Sequence, residues 1–142
     1  MRKLLPLLAA LFVSYSALAA GLLDANTASL EDMAALPHMD ETLAKAVVDR
    51  RPFMTIGDLD ALLSADLGEE ELVELYAHLF VPVNLNTAGE SDILLIPGVG
   101  KKMAHEFEEY RPYSSIEQFR REIGKYVDDA EVARLEMYVT LD

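Results

Sequence analysis

The chain has 142 residues, about half of them apolar, and a formal charge of −13 from 12 basic and 25 acidic side chains. That length allows one compact domain or two very small ones, with enough apolar content for a core. The lack of cysteine excludes a disulfide framework and a thiolate metal site, and the acidic balance excludes a surface that attracts nucleic acid or anionic lipid as a whole.

The first residues read as a processing signal. Arg2 and Lys3 form a short positive region, Leu4 to Val13 is apolar apart from Pro6, and Ser16-Ala17-Leu18-Ala19 offers a small-x-small cleavage pattern. A retained anchor is the alternative, but the run is short against a membrane span of ~20 residues. Residues 1–19 are therefore expected to be a cleaved signal peptide, cut near Ala19-Ala20. The remaining chain is expected to be soluble, without a membrane span, and periplasmic or secreted.

From there the sequence repeats itself at an offset of sixty without a gap. Asn26-Thr27-Ala28 recurs as Asn86-Thr87-Ala88, Pro37 as Pro97, Ala44 as Ala104, and Arg51-Pro52-Phe53 as Arg111-Pro112-Tyr113. Two units follow, residues 20–82 and 83–142. They differ in charge: 13 acidic and 3 basic residues lie between Asp24 and Pro82, 12 acidic and 7 basic from Val83 onward.

Each unit reads as four short helices, so the expected fold class is all-α. In the first, Thr27, Thr55 and Gly68 punctuate the helices. In the second, Thr87 to Glu90 has the form of a capping box, followed by Ile93, Leu94 and Ile96 as an apolar face. Pro97 ends that stretch, because the residue before proline avoids helical geometry. A helix is predicted over Lys101 to Tyr110, with Met103, Ala104, Phe107 and Tyr110 at helical spacing. Ser115 to Gln118 is a second capping box, opening a helix with Ile116, Phe119 and Ile123 that Gly124 closes. Asp128 or Asp129 caps a last helix carrying Val132, Leu135 and Val139. Only Val81 to Leu85 suggests extended chain. The pairs Leu36/Ile96, Leu43/Met103 and Val47/Phe107 are the expected core of each unit.

Between the first two helices of the second unit lies Ile96-Pro97-Gly98-Val99-Gly100-Lys101-Lys102. Gly98 and Gly100 permit positive φ and leave no Cβ in the way. Backbone N–H groups of Gly98, Val99 and Gly100 would then face outward at a helix start, where the dipole also favours an anion. Lys101 and Lys102 add charge, and Val99 is expected to pack into the two-helix stem. The corresponding stretch of the first unit has His38, Met39, Asp40 and Glu41 instead, which would repel phosphate.

The run Asn84-Leu85-Asn86-Thr87-Ala88, then Ile96 to Gly100, Ala104, Arg111 and Tyr113, resembles the helix-hairpin-helix module. It is similar in particular to exported competence DNA receptors, the ComEA-like proteins, over both units. The resemblance implies contact to the phosphate backbone of double-stranded DNA without sequence preference, weak because only one hairpin is intact, and a role in DNA uptake. The same hairpin also serves as a plain structural joint in relatives such as the extrinsic photosystem II subunit. The alternative function is thus a protein-interaction module or accessory subunit, whose acidic first unit suits a basic protein partner.

Other constellations are weaker. His105-Glu106 begins like a zinc-protease helix, but position 109 is Glu where the second His belongs. His38-Met39-Asp40-Glu41 is a poor metal set with one imidazole. Arg111, Arg120, Arg121 and Lys125 either extend a phosphate track or pair with Glu117, Glu122 and Asp128. No nucleophile–base pair is apparent, so the expectation is a non-enzyme with no cofactor and no metal.

Overall fold

The computed structural model describes residues 21–142; the expected signal peptide and its cleavage site lie outside the described residues. The chain runs β1 (Leu23–Asp24), α1 (Leu30–Ala34), α2 (Glu41–Arg50), α3 (Ile56–Leu63), α4 (Glu69–Tyr76) and β2 (Leu79–Phe80). The same order then recurs as β3 (Val83–Asn84), α5 (Glu90–Ile93), α6 (Lys101–Glu109), α7 (Ile116–Ile123), α8 (Asp129–Glu136) and β4 (Val139–Thr140). The fold is all-α, of helix-hairpin-helix type, with strands of two residues. No helix among the described residues is long and apolar enough to cross a membrane.

β3 falls within the Val81 to Leu85 stretch expected to be extended, while the other three strands and the pairing are what the apolar pattern did not predict. β1 pairs in parallel with β2 and β3 with β4, so each half closes by laying its last residues beside its first. Val139, expected on the last helix, instead pairs with Val83 in this ladder. Helix caps also shift. Ser29 and Gly89, not Thr27 and Thr87, are the N-caps of α1 and α5. The preceding residues are held in a turn, where Asp24 and Asn84 side chains accept from the N–H groups of Asn26 and Asn86 at 2.8 and 2.9 Å. At α7, Ser115 accepts from the Gln118 N–H as expected, but the Gln118 side chain takes the N–H of Ser114. Asp128, rather than Asp129, caps α8.

The recurrence of Asn-Thr-Ala and of Arg-Pro-Phe/Tyr has one cause, since the two motifs bind each other. The Asn86 side chain accepts from the Tyr113 N–H at 2.6 Å and donates to the Tyr113 carbonyl at 3.0 Å. Arg111 returns the grip, donating to the carbonyls of Leu85 and Ala88 at 2.5 and 2.6 Å. Asn26, Phe53, Arg51, Ala25 and Ala28 make the same set in the first half. Both X-Pro bonds, Arg51-Pro52 and Arg111-Pro112, are cis. Arg111→Leu strands two half-buried carbonyls, and hydrogen bonds from a charged donor are worth about 1.5–3 kcal/mol each. Urea unfolding should show a loss of about 2–4 kcal/mol. The exposed, ion-paired Arg120→Leu should change it by less than about 1 kcal/mol.

One apolar core runs through both halves. Leu36, Val47, Ile96 and Phe107 are buried as expected, while Leu43 and Met103 pack at its margin. The halves meet edge-to-face through Phe80 and Tyr138, whose ring centroids are 4.7 Å apart, and the buried Tyr138 hydroxyl donates to the Tyr76 carbonyl at 2.8 Å. Asp92 adds a polar joint by accepting from the Gly57 N–H, in the first turn of α3, at 3.1 Å. Burial raises the Asp92 pKa, which this N–H at a helix start opposes.

Candidate nucleic-acid interface

The candidate site is the α5–α6 hairpin, and its backbone corrects the expectation in two respects. Only Gly98 has positive φ, at 84°; Gly100, the N-cap of α6, sits in extended geometry at φ −97°. The Val99 N–H is not free either, because it donates to the Ile96 carbonyl at 3.0 Å and closes the turn. Val99 therefore contributes packing, its side chain 7% exposed in the core, as expected. Gly98, Gly100, Lys101 and Lys102 are exposed.

What the turn offers an anion is the start of α6. Gly100 has no side chain to cap it, and among the described residues nothing accepts from the N–H groups of Lys101, Lys102 or Met103. These are orphan donors at the positive end of a nine-residue helix. No ion pair among the described residues engages Lys101 or Lys102.

The equivalent turn of the first half keeps the backbone and loses the opening. Its His38 holds the left-handed conformation at φ 64°, despite the strain this costs a non-glycine residue. The ring is fixed on both sides, Nε2 2.6 Å from Glu74 and Nδ1 3.3 Å from Glu71. Asp40 then caps α2, accepting from the Leu43 N–H at 2.8 Å. The first helix thus carries its own anion where the second leaves the place open.

The remaining basic residues do not form a free track. Arg111 is spent on carbonyls. Arg120 pairs with Glu136 at 2.6 Å, and Arg121 and Lys125 both reach Glu122. The flanking hydrogen bond and charge from Lys125 hold the Glu122 pKa below the usual carboxylate range. On α6, ligand atoms of His105, Glu106 and Glu109 approach within 4.8 Å of one another, with Glu106 half-buried between two exposed side chains. Pairing, the usual fate of mixed charge on helices, accounts for Arg120, Arg121 and Lys125.

Sequence reasoning missed one residue at the site. Arg134, on α8, lies over the hairpin: a Cβ built on Gly98 would come 3.0 Å from its Nη2. Thirty-six residues separate the two, and no local pattern links them.

The helix-hairpin-helix motif matches residues 78–136, the half that contains the open hairpin. A protein named deoxyribonuclease from Thioalkalivibrio sp. (strain K90mix) is 36% identical over 55 residues, which cover 39% of this chain and 15% of that protein. The chain therefore matches only a small part of that curated relative. No solved structure matches. The helix-hairpin-helix domain supports nucleic-acid binding in general.

Proposed function

We propose that this is an exported, non-enzymatic protein that binds double-stranded DNA through phosphate contacts at the α5–α6 hairpin, without reading sequence. The observation that carries the reading is the uncapped start of α6 beside two unpaired lysines, set against the Asp40-capped start of α2. The Lys101 and Lys102 N–H groups take a phosphate oxygen, and their side chains neutralise charge nearby. Gly98 and Gly100 allow close approach, and Val99 holds the turn on the core. The two halves are copies of one unit, of which the second binds and the first braces. The N-terminal pattern at residues 1–19 supports export, and with it a place in DNA uptake like that of the ComEA-like receptors.

Few contacts on an acidic protein give weak binding that salt removes early. Retention of duplex DNA by the purified protein, followed against salt, should give a log–log slope of about −2 to −3, at about −0.9 per phosphate. Lack of retention at about 20 mM salt would sink this reading and return the alternative, a protein partner of basic surface.

A further inference from the structure

We propose that Arg134 is a further phosphate contact of this hairpin, handed to the ligand from its resting partner Glu131. The inference rests on the DNA-binding reading and extends it to a residue on another helix.

Three observations place the guanidinium for this task. It lies close over Gly98, where a Cβ would come 3.0 Å from its Nη2 and push the guanidinium aside by a few tenths of an ångström. Its carbon stands 5.9 Å from the centroid of the Tyr138 ring, which is itself anchored to the first half through the Tyr76 carbonyl and Phe80. Glu131 takes a hydrogen bond from its Nε, and the Tyr138 phenol is its other polar neighbour. A guanidinium has five N–H donors, so the two Nη groups remain to offer a planar fork to a phosphate. The side chain is 37% exposed, within reach of solvent and ligand.

The first half shows what the same positions do when the site is shut. At the offset of sixty, His38, Glu71 and Glu74 correspond to Gly98, Glu131 and Arg134. In one half two carboxylates grip an imidazole above the turn. In the other the imidazole is gone, the turn has no side chain of its own at Gly98, and a guanidinium replaces the second carboxylate. The backbone is repeated within the molecule, while the two carboxylates over it become a carboxylate and a guanidinium, so the excess negative charge is cancelled. The groove between the halves, ≈ 740 Å³, is lined by Gly98 to Gly100 and also by Asp60 and Glu69, which repel phosphate. The surface pair Arg134–Glu131 is a weak tether of the kind that a better acceptor displaces.

The test is a salt titration of duplex affinity for the wild type, Arg134→Gln, Arg134→Lys, Glu131→Gln and Arg120→Gln, each checked for an unchanged unfolding midpoint. Arg134→Gln should flatten the slope by about 0.9 and weaken binding on every duplex alike. Arg134→Lys should keep the slope and lose affinity, because charge is retained and the fork is not. Glu131→Gln should tighten binding several-fold, and Arg120→Gln should match the wild type. If the wild type binds and Arg134→Gln keeps its slope and affinity, Arg134 is not a contact and the DNA reading stands without it. If Arg134→Gln does not fold, an unchanged affinity in both Arg134→Lys and Glu131→Gln overturns the proposal. If the wild type retains no duplex, both fall together.

Discussion

Phe107→Ala should lower the free energy of unfolding by about 3–5 kcal/mol, the cost of truncating a fully buried aromatic ring. Phe107 has no exposure, and its ring stands edge-on to Phe119 with centroids 5.3 Å apart at 90°. Such pairs add about 0.5–1.5 kcal/mol beyond the area they bury. Its carbonyl also accepts from the Tyr113 hydroxyl at 2.9 Å, and burial pushes that phenol up to about 12, so it stays a donor through the neutral range. The ring ties α6 to α7 through Phe119, on which Tyr113 also packs, so its loss leaves a cavity beside a shared aromatic cluster. Urea unfolding measures the effect, with the m-value as a check that the transition remains comparable. The exposed Met54→Ala, 80% accessible, should change stability by no more than about 0.5 kcal/mol. A Phe107→Ala protein that unfolds with the wild type would place the ring outside the core.

Lys101→Glu combined with Lys102→Glu should abolish retention of duplex DNA while leaving the protein folded. Each reversal replaces an attraction with a repulsion, at about 1.4 kcal/mol for every tenfold change in affinity. Two counterion-releasing contacts, at about −0.9 each, make up most of the slope expected of the wild type, so little binding is left to measure. The fold survives for an electrostatic reason. Both residues sit in the first turn of α6, where a carboxylate is favoured by the helix dipole by about 0.3–1 kcal/mol. The unfolding midpoint should therefore hold or rise as binding is lost, which separates a damaged site from a damaged protein. Binding that survives both reversals would remove the hairpin as the contact.

Much of this arrangement was legible along the chain because its causes are local. Spaced apolar residues marked Val47, Ile96 and Phe107 as core, and Ser115, Asp128 and Gly124 marked helix ends through short-range hydrogen bonding. The recurrence of Asn-Thr-Ala and Arg-Pro was visible too, but its reason was not. Asn86 and Tyr113 lie 27 positions apart, and their mutual hydrogen bonds exist only after α5 and α6 have folded back. Strands of two residues carry too few side chains to show a period, so the pairing of Val83 with Val139 left no trace in the pattern.

The sequence by itself determined the all-α plan, the turn at Pro97-Gly98, the loss of glycine and gain of acid in the first half, and the lysines that follow the second turn. These depend on side-chain type at fixed local spacing. The tertiary structure alone decided which donors and charges remain free to act. It spent the Val99 N–H on Ile96, Arg111 on backbone carbonyls and Asp40 on the start of α2, and it brought Arg134 over Gly98. Whether a polar group is consumed or available depends on what folding brings within hydrogen-bond reach, and for these groups that is a matter of three dimensions.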